Sequence, residues 1–357
     1  MAIHSPEAAS ARKANLQYVE DTIPGIIRKG KLGRFSYVTE SGVPIRTKST
    51  LKRIKSLVIP PAWQSVWICP HTNGHIQVTA RDARGRKQYR YHIRWRETRD
   101  ANKYEHLHDF VRALSKIRKS VTSHLRLKGL PRDKVLAAVV RLLERSFIRI
   151  GNERYASENG SYGLTTMRNR HVRVHGRDIN FDFRGKSGKQ HQVIIKDARL
   201  ASLVAQCREL PGQELFQYVD ENGERHKISS TDVNNYLNEI SGGKEYTAKD
   251  FRTWAGTLLA TVELFRRQDF ETETQAKKHV VEAIKAVAQR LGNTPSICRK
   301  CYVHPGIVDS YYHKKLSMLP LGGISQIVNP NLTRRQEMAI VRLLKQNHLK
   351  SKSISRV

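Results

Sequence analysis

Leu291-Gly-Asn-Thr-Pro-Ser-Ile-Cys-Arg-Lys-Cys-Tyr302 places a tyrosine a few residues past a Pro-Ser helix start, among basic side chains. A phenol with a pKa of about 10 is almost wholly protonated at neutral pH and is a poor nucleophile. Nearby cations favour the phenolate, and the same cations can hold a phosphate for attack. A single tyrosine is more often an amphipathic packing residue. Tyr302 therefore has to be read together with the rest of the chain.

The chain has 357 residues, with 64 Lys plus Arg against 32 Asp plus Glu, a formal net charge of +32. Its length suits two or three domains. An excess of positive charge that large calls for a polyanionic partner, with nucleic acid ahead of an anionic membrane surface. No apolar run is long enough for a transmembrane helix, and the first residues lack the order of a secretory signal. Four cysteines, Cys69, Cys207, Cys298 and Cys301, are too few for a disulfide scaffold. An intracellular, cytoplasmic and nucleoid-associated protein is expected.

The first hundred residues read as β-rich. Gly33 to Thr39 and Gly74 to Thr79 are β-prone and broken by Gly, Pro and Asn. The charged stretch from Arg94 to Lys103 reads as a boundary or linker. Helices dominate beyond it, opening at Pro131 with Val135, Leu136, Val139, Leu142 and Leu143 at helical spacing. His171 to His175, Ile179 to Phe183 and Gln192 to Ile195 read as a small sheet or hairpin, and Asp197 to Arg208, Ser230 to Ile240, Thr247 to Arg267 and Thr274 to Leu291 as helices. The expected division is 1–97, 98–320 and a basic extension, 321–357. That extension is expected to be a flexible DNA-binding tail, with packing against the preceding domain as the alternative.

Several chemistries have no seat here. No Gly-x-x-x-x-Gly-Lys-Ser/Thr loop is present, nor any close Asp/Glu set for a two-metal nuclease. Cys298-Arg-Lys-Cys301 lacks a second ligand pair for structural zinc. No metal and no cofactor is expected. Phosphodiester chemistry would then rest on protein cations, and arginine suits it through its two-pronged, permanently charged head. Arg149 ends an apolar helix, Lys186 sits at a hairpin tip in Arg-Gly-Lys-Ser-Gly, and Arg252 opens a helix otherwise lined with Leu and Val. Each alone also fits a buried ion pair or a solvated turn.

Taken in order, Phe-Ile-Arg149-Ile-Gly, Gly-Lys186, Lys-Asp-Phe-Arg252-Thr and Gly-Asn293-Thr-Pro-Ser-Ile with Tyr302 resemble the type IB DNA topoisomerases, in particular their poxvirus-like and bacterial branch. The similarity continues through Arg81 to His92. It implies an α+β protein: a two-domain clamp with a small β-rich N-terminal domain and a mainly α-helical catalytic domain of the topoisomerase IB/tyrosine recombinase type. It implies a monomer that relaxes supercoiled double-stranded DNA through a 3′-phosphotyrosyl intermediate, without ATP or metal. Tyr302 would be the nucleophile, Arg149 and Arg252 the transition-state stabilisers, and Lys186 the general acid. Poxvirus-like members carry His where Asn293 stands, which leaves that amide a hydrogen-bond donor to phosphate or a helix N-cap.

Residues 81 to 96 hold seven Lys/Arg against Asp82, interleaved with Tyr89, Tyr91 and Trp95, the pattern of a nucleic-acid surface. By resemblance, Gln88, Tyr89 and Tyr91 contact the duplex, and Tyr155 and Lys249 contact phosphate. Arg84, Arg86 and Lys87 are expected to neutralise phosphates. Ser230, at a helix start, offers either a phosphate contact or an N-cap. The alternatives are a tyrosine site-specific recombinase, which typically has His three residues before its second arginine where this chain has Lys249, and a non-catalytic basic DNA-binding protein.

Overall fold

A computed structural model describes residues 6–31, 33–322 and 332–354. The chain divides into two compact units, Met1–Glu105 and His106–Val357. The first unit runs α1 (Pro6–Lys13), β1 (Ile26–Lys31), β2 (Arg34–Thr39), α2 (Lys48–Ser56), β3 (Gln64–Ile68), β4 (Ile76–Arg81), β5 (Lys87–Tyr91) and the first part of α3 (Ile93–His124). Its sheet is antiparallel, in the order β2-β1-β3-β4-β5. Ile26, Val66, Ile68, Val78 and Ala80 pack with Ile54 of α2 on one side. The stretch read as a linker, Arg94 to Lys103, lies inside the continuous helix α3.

His75 is buried between aromatic rings, 4.3 Å from Tyr18 and 4.8 Å from Trp95. Its Nδ1 accepts the Val19 backbone N–H at 3.0 Å, which requires the neutral ring. Burial holds its pKa below the ordinary value. The sign follows: the stabilisation is complete above the unfolded-state value of about 6.5 and is lost as pH falls through the lower folded-state value. Urea midpoints are expected to fall as the medium is acidified from neutrality. A His75→Asn variant, which keeps an acceptor but cannot titrate, should lose part of that dependence.

The second unit continues with α4 (Arg132–Ser146), α5 (Glu153–Asn159), β6 (Val172–His175), β7 (Asp178–Arg184), β8 (Gln190–Lys196), α6 (Ala198–Glu209), β9 (Gln217–Val219), β10 (Arg225–Lys227) and α7 (Ser230–Ser241). It closes with α8 (Ala248–Phe265), α9 (Glu273–Arg290), α10 (Pro295–Cys301), α11 (Pro305–Tyr312) and α12 (Arg334–Ile354). Helix α8 is the spine. It is buried almost all round, from Phe251 to Leu264, as a helix through the middle of a core must be. Asp250 fixes its start by accepting from the Thr247 backbone N–H at 2.8 Å and the Thr247 hydroxyl at 3.0 Å. The antiparallel sheet β6-β7-β8 holds the hairpin that presents Lys186.

In the basic extension, the described residues 332–354 follow the alternative reading, packing, and not the flexible tail. Helix α12 buries Ile340, Val341 and Leu344, so its apolar stripe completes the core while Arg334, Arg335 and Arg342 stay exposed. The buried Glu337 receives both Arg118 amino groups at 2.7 Å and the Trp254 indole at 3.4 Å. Arg118 also donates to Glu144 at 2.6 Å. Removing one partner of such a buried pair leaves a desolvated charge. Glu337→Ala is expected to lower stability by about 3 kcal/mol in urea unfolding, and Glu337→Gln by less.

Candidate active site

The site is built on three chain turns around α8. Helix α4 ends at Phe147, whose φ of 57° is left-handed and unusual for a bulky residue. This turn sends the next residues away from the helix axis. The carbonyls of Arg149 and Ile150 then accept the N–H groups of Leu164 and Thr165 at 2.9 and 2.7 Å, which fixes the Arg149 backbone. At the far side, α9 ends at Leu291, Gly292 takes a φ of +60°, and Asn293 leads into α10. Tyr302 follows α10 as its C-cap residue.

Arg252 lies where two helix ends meet. Only 4% of it is exposed. Its guanidinium donates to the Phe147 carbonyl and, at 2.7 Å, to the Leu291 carbonyl. Both acceptors are C-cap residues, where carbonyls lack intrahelical partners and carry the negative end of the helix dipole. Arg252 thus caps α4 and α9 together. Its guanidinium carbon sits 5.2 Å from the centre of the Tyr302 ring. Burial first, and then the neighbouring charge of Arg149, pushes its pKa down to about 10, while Tyr302 opposes the change. Arg252 therefore remains charged at neutral pH.

Arg149 is likewise pushed down by burial and supported by Tyr302, so both guanidinium groups address one phenol. Arg149 also donates to Asn293 Oδ1. That contact turns the amide nitrogen of Asn293 the other way, where Nδ2 is buried and has no hydrogen-bond partner among the described residues; Arg252 Nε is in the same condition. Buried donors without acceptors are rare in folded proteins. Two of them beside the Tyr302 phenol suit the oxygens of an anion. The N-cap of α10 is Thr294, whose hydroxyl accepts from Ile297, so Asn293 does not fill that role.

Lys186 stands exposed at the β7–β8 tip and makes no hydrogen bond or ion pair among the described residues. The sequence thus brings Arg149, Arg252, Asn293 and Tyr302 into one cluster, with Lys186 on an adjoining hairpin. Lys189 of that hairpin donates to the Asn293 carbonyl at 3.4 Å. Cys298 is fully buried beneath the cluster, and burial pushes its thiol up to about 11. Cys69 and Cys207 are buried elsewhere. Among the described residues, none of the cysteines joins a group of potential metal ligands.

Two positioning residues escaped the sequence reading. A Cβ on Gly256 would lie 2.7 Å from the Tyr302 carbonyl oxygen and 2.8 Å from its Cβ. The next residue, Thr257, donates its hydroxyl to that carbonyl at 3.2 Å and accepts the His304 N–H at 3.1 Å. The available signal was a glycine inside an apolar helix, which costs about 1 kcal/mol relative to alanine unless packing requires it.

The proposed DNA-facing residues are more mixed. On β5, Tyr89 is exposed and stacks on Tyr91 at 5.8 Å. Tyr91 itself is half-buried against Ala11, Leu16 and Trp95. Trp95 is 3% exposed, so it belongs to the core and not to an aromatic binding face. Arg86 pairs with Asp82 at 2.6 Å and Lys87 with Asp21 at 2.5 Å, which leaves Arg84 the more openly displayed cation. Gln88 donates to Asp82 at 2.9 Å. In the second unit, Tyr155 and Lys249 are exposed. Ser230 is the first residue of α7, and the N-cap is Ser229, which corrects the N-cap reading of Ser230.

The family model for the catalytic core of eukaryotic DNA topoisomerase I matches residues 92–318, and that for the N-terminal domain of bacterial DNA topoisomerase IB matches residues 34–82. The chain belongs to the type IB DNA topoisomerases. DNA topoisomerase 1B of Acanthamoeba polyphaga mimivirus is 30% identical over 286 residues, covering 78% of this chain and 85% of the relative. DNA topoisomerase 1B of vaccinia virus (strain Copenhagen) is 23% identical over 230 residues, covering 64% and 70%. Within this type IB topoisomerase, Gly256→Ala should separate helix propensity from site geometry. Alanine favours the helix, yet its Cβ must displace Tyr302. Single-turnover DNA cleavage is expected to slow by about 100-fold, with far-ultraviolet circular dichroism unchanged.

Proposed function

We propose that this protein relaxes supercoiled duplex DNA by cutting and resealing one strand through Tyr302. The observation that carries the reading is the pair of guanidinium groups, Arg252 buried and Arg149 partly buried, turned on a single phenol, with Arg252 Nε and Asn293 Nδ2 left as donors without a partner among the described residues. Holding two like charges together is unfavourable until an anion joins them. A scissile phosphate supplies that anion, and its pentacoordinate transition state carries still more charge on the non-bridging oxygens.

In this reading the Tyr302 hydroxyl gives its proton to solvent as its oxygen attacks phosphorus, the P–O5′ bond breaks, and Lys186 gives the departing oxygen a proton. The 3′-phosphotyrosyl link conserves the bond energy, so the free 5′-hydroxyl can reverse the step without ATP. Arg149 and Arg252 bind the non-bridging oxygens. Asn293 donates one neutral hydrogen bond, held in orientation by Arg149. Gln88, Tyr89, Tyr91, Arg84, Arg86, Lys87, Tyr155, Lys249 and Ser230 contact the duplex. The two units close on DNA as a clamp, and the protein works as a monomer associated with the nucleoid.

Plasmid relaxation in EDTA without ATP tests the scheme. Wild type should relax supercoils of both signs and give a covalent adduct when quenched with denaturant, whereas Tyr302→Phe should do neither. Asn293→Ala should slow single-turnover cleavage by roughly 100-fold or more, the usual effect of losing one oxyanion donor. Relaxation that persists in Tyr302→Phe, or that requires magnesium or ATP, would overturn the proposal.

A further inference from the structure

A general acid on a hairpin tip works only if the hairpin is held in register with the phosphate site. His191 stands where that register is set. It lies on β8 opposite Phe183 of β7, and the two rings stack at 5.2 Å with an angle of 11° between them. A Cβ on Gly185 would fall 2.6 Å from His191 Cδ2, and one on Gly292 would fall 2.1 Å from its Cε1. The imidazole is therefore pressed between the backbone just before Lys186 and the backbone just before Asn293. Both neighbours must be glycine for the ring to fit, and at Gly292 the φ of +60° adds a second reason. This ring and the Lys189 contact to the Asn293 carbonyl, at 3.4 Å, join the hairpin to the turn that carries Asn293.

We infer that His191 is a positioning residue: a flat spacer that docks the Lys186 hairpin onto the Asn293 turn and sets the reach of the Lys186 amine toward the leaving 5′-oxygen. The inference rests on the reading of Lys186 as general acid. The ring makes no hydrogen bond among the described residues, so shape and stacking carry the contact. Its neighbours explain why the neutral form suits the place. Burial, then Arg149 and Arg252, then Lys189 all disfavour the imidazolium.

A DNA substrate with sulfur in place of the bridging 5′-oxygen isolates the proton-transfer step. The P–S5′ bond breaks to give a thiolate, which needs no proton because a thiol has a pKa of about 8.5. On the ordinary oxygen substrate, His191→Ala is expected to slow single-turnover cleavage by about 100-fold, the scale of a misplaced reacting group. On the sulfur substrate it should match wild type, as Lys186→Ala should. His191→Phe, which keeps a flat ring, should stay close to wild type on both. Gly185→Ala crowds the ring from the hairpin side, leaves His191 itself intact, and should show the same oxygen-specific defect, so the test survives if His191→Ala does not fold.

A Lys186→Ala defect that sulfur rescues, beside His191→Ala and Gly185→Ala defects that it does not, would overturn the spacer role while leaving the general acid in place. Normal oxygen-substrate rates in both of those variants would overturn it too, as would His191→Phe proving as slow as His191→Ala. Failure of sulfur to rescue Lys186→Ala would instead sink the general-acid reading itself.

Discussion

A charged guanidinium inside a protein core must be met by acceptors, and Arg252 is met by the buried carbonyl ends of two helices. Hydrogen bonds to a charged group are each worth about 1.5–3 kcal/mol, and leaving a buried charge unpaired is much more costly. The C-termini of α4 and α9 are therefore obliged to converge on one point of α8. That convergence fixes Arg149 just beyond one helix and Asn293 just beyond the other, in hydrogen-bond contact. The left-handed turn at Phe147 is the local strain that accompanies it, of order 1–3 kcal/mol.

Tyr302 is seated on the same helix by a different force. One turn along α8 from Arg252, Gly256 lets the backbone of Tyr302 approach to a distance no other residue permits, and Thr257 holds the carbonyl in place. The phenol is thus positioned by close packing and the arginine by electrostatics, and both constraints act on the most buried element of the unit. A rigid platform of this kind suits chemistry whose transition state differs from its ground state mainly in charge distribution. Helix α12 reinforces it from behind, through Glu337 against Arg118 and Trp254.

Much of this was legible in the chain. Helices α4, α6, α7, α8 and α9, strands β2 and β4, and the small sheet β6-β7-β8 follow from apolar spacing and from Gly, Pro and Asn breaks, because each is a local pattern. Arg149 and Arg252 stand out as charges in otherwise apolar helices, whereas Asn293 and Tyr302 are marked by their place in the ordered stretches that resemble the type IB topoisomerases. Partnerships were not legible. In the sequence Arg86 and Lys87 are free cations and Trp95 a surface aromatic, whereas in the fold Asp82 and Asp21 pair with the two cations and Trp95 is buried. The basic C-terminal stretch read as a tail because its charge outweighs a narrow apolar stripe that only a docking surface makes meaningful.

Sequence by itself determined the chemistry available to this chain. It supplied a phenol, permanently charged guanidinium groups, an amide where a histidine often stands, and a charge excess suited to a polyanion. Tertiary structure alone decided which of these act together. The pairing of Arg149 with Asn293, the capping of two helices by Arg252, the seat that Gly256 makes for Tyr302 and the wedge of His191 between Gly185 and Gly292 all join residues far apart in the chain. Local propensity carries no information about such contacts. They depend on the desolvation of one charge and the absence of a few Cβ atoms, and both acquire meaning only once the helices have packed.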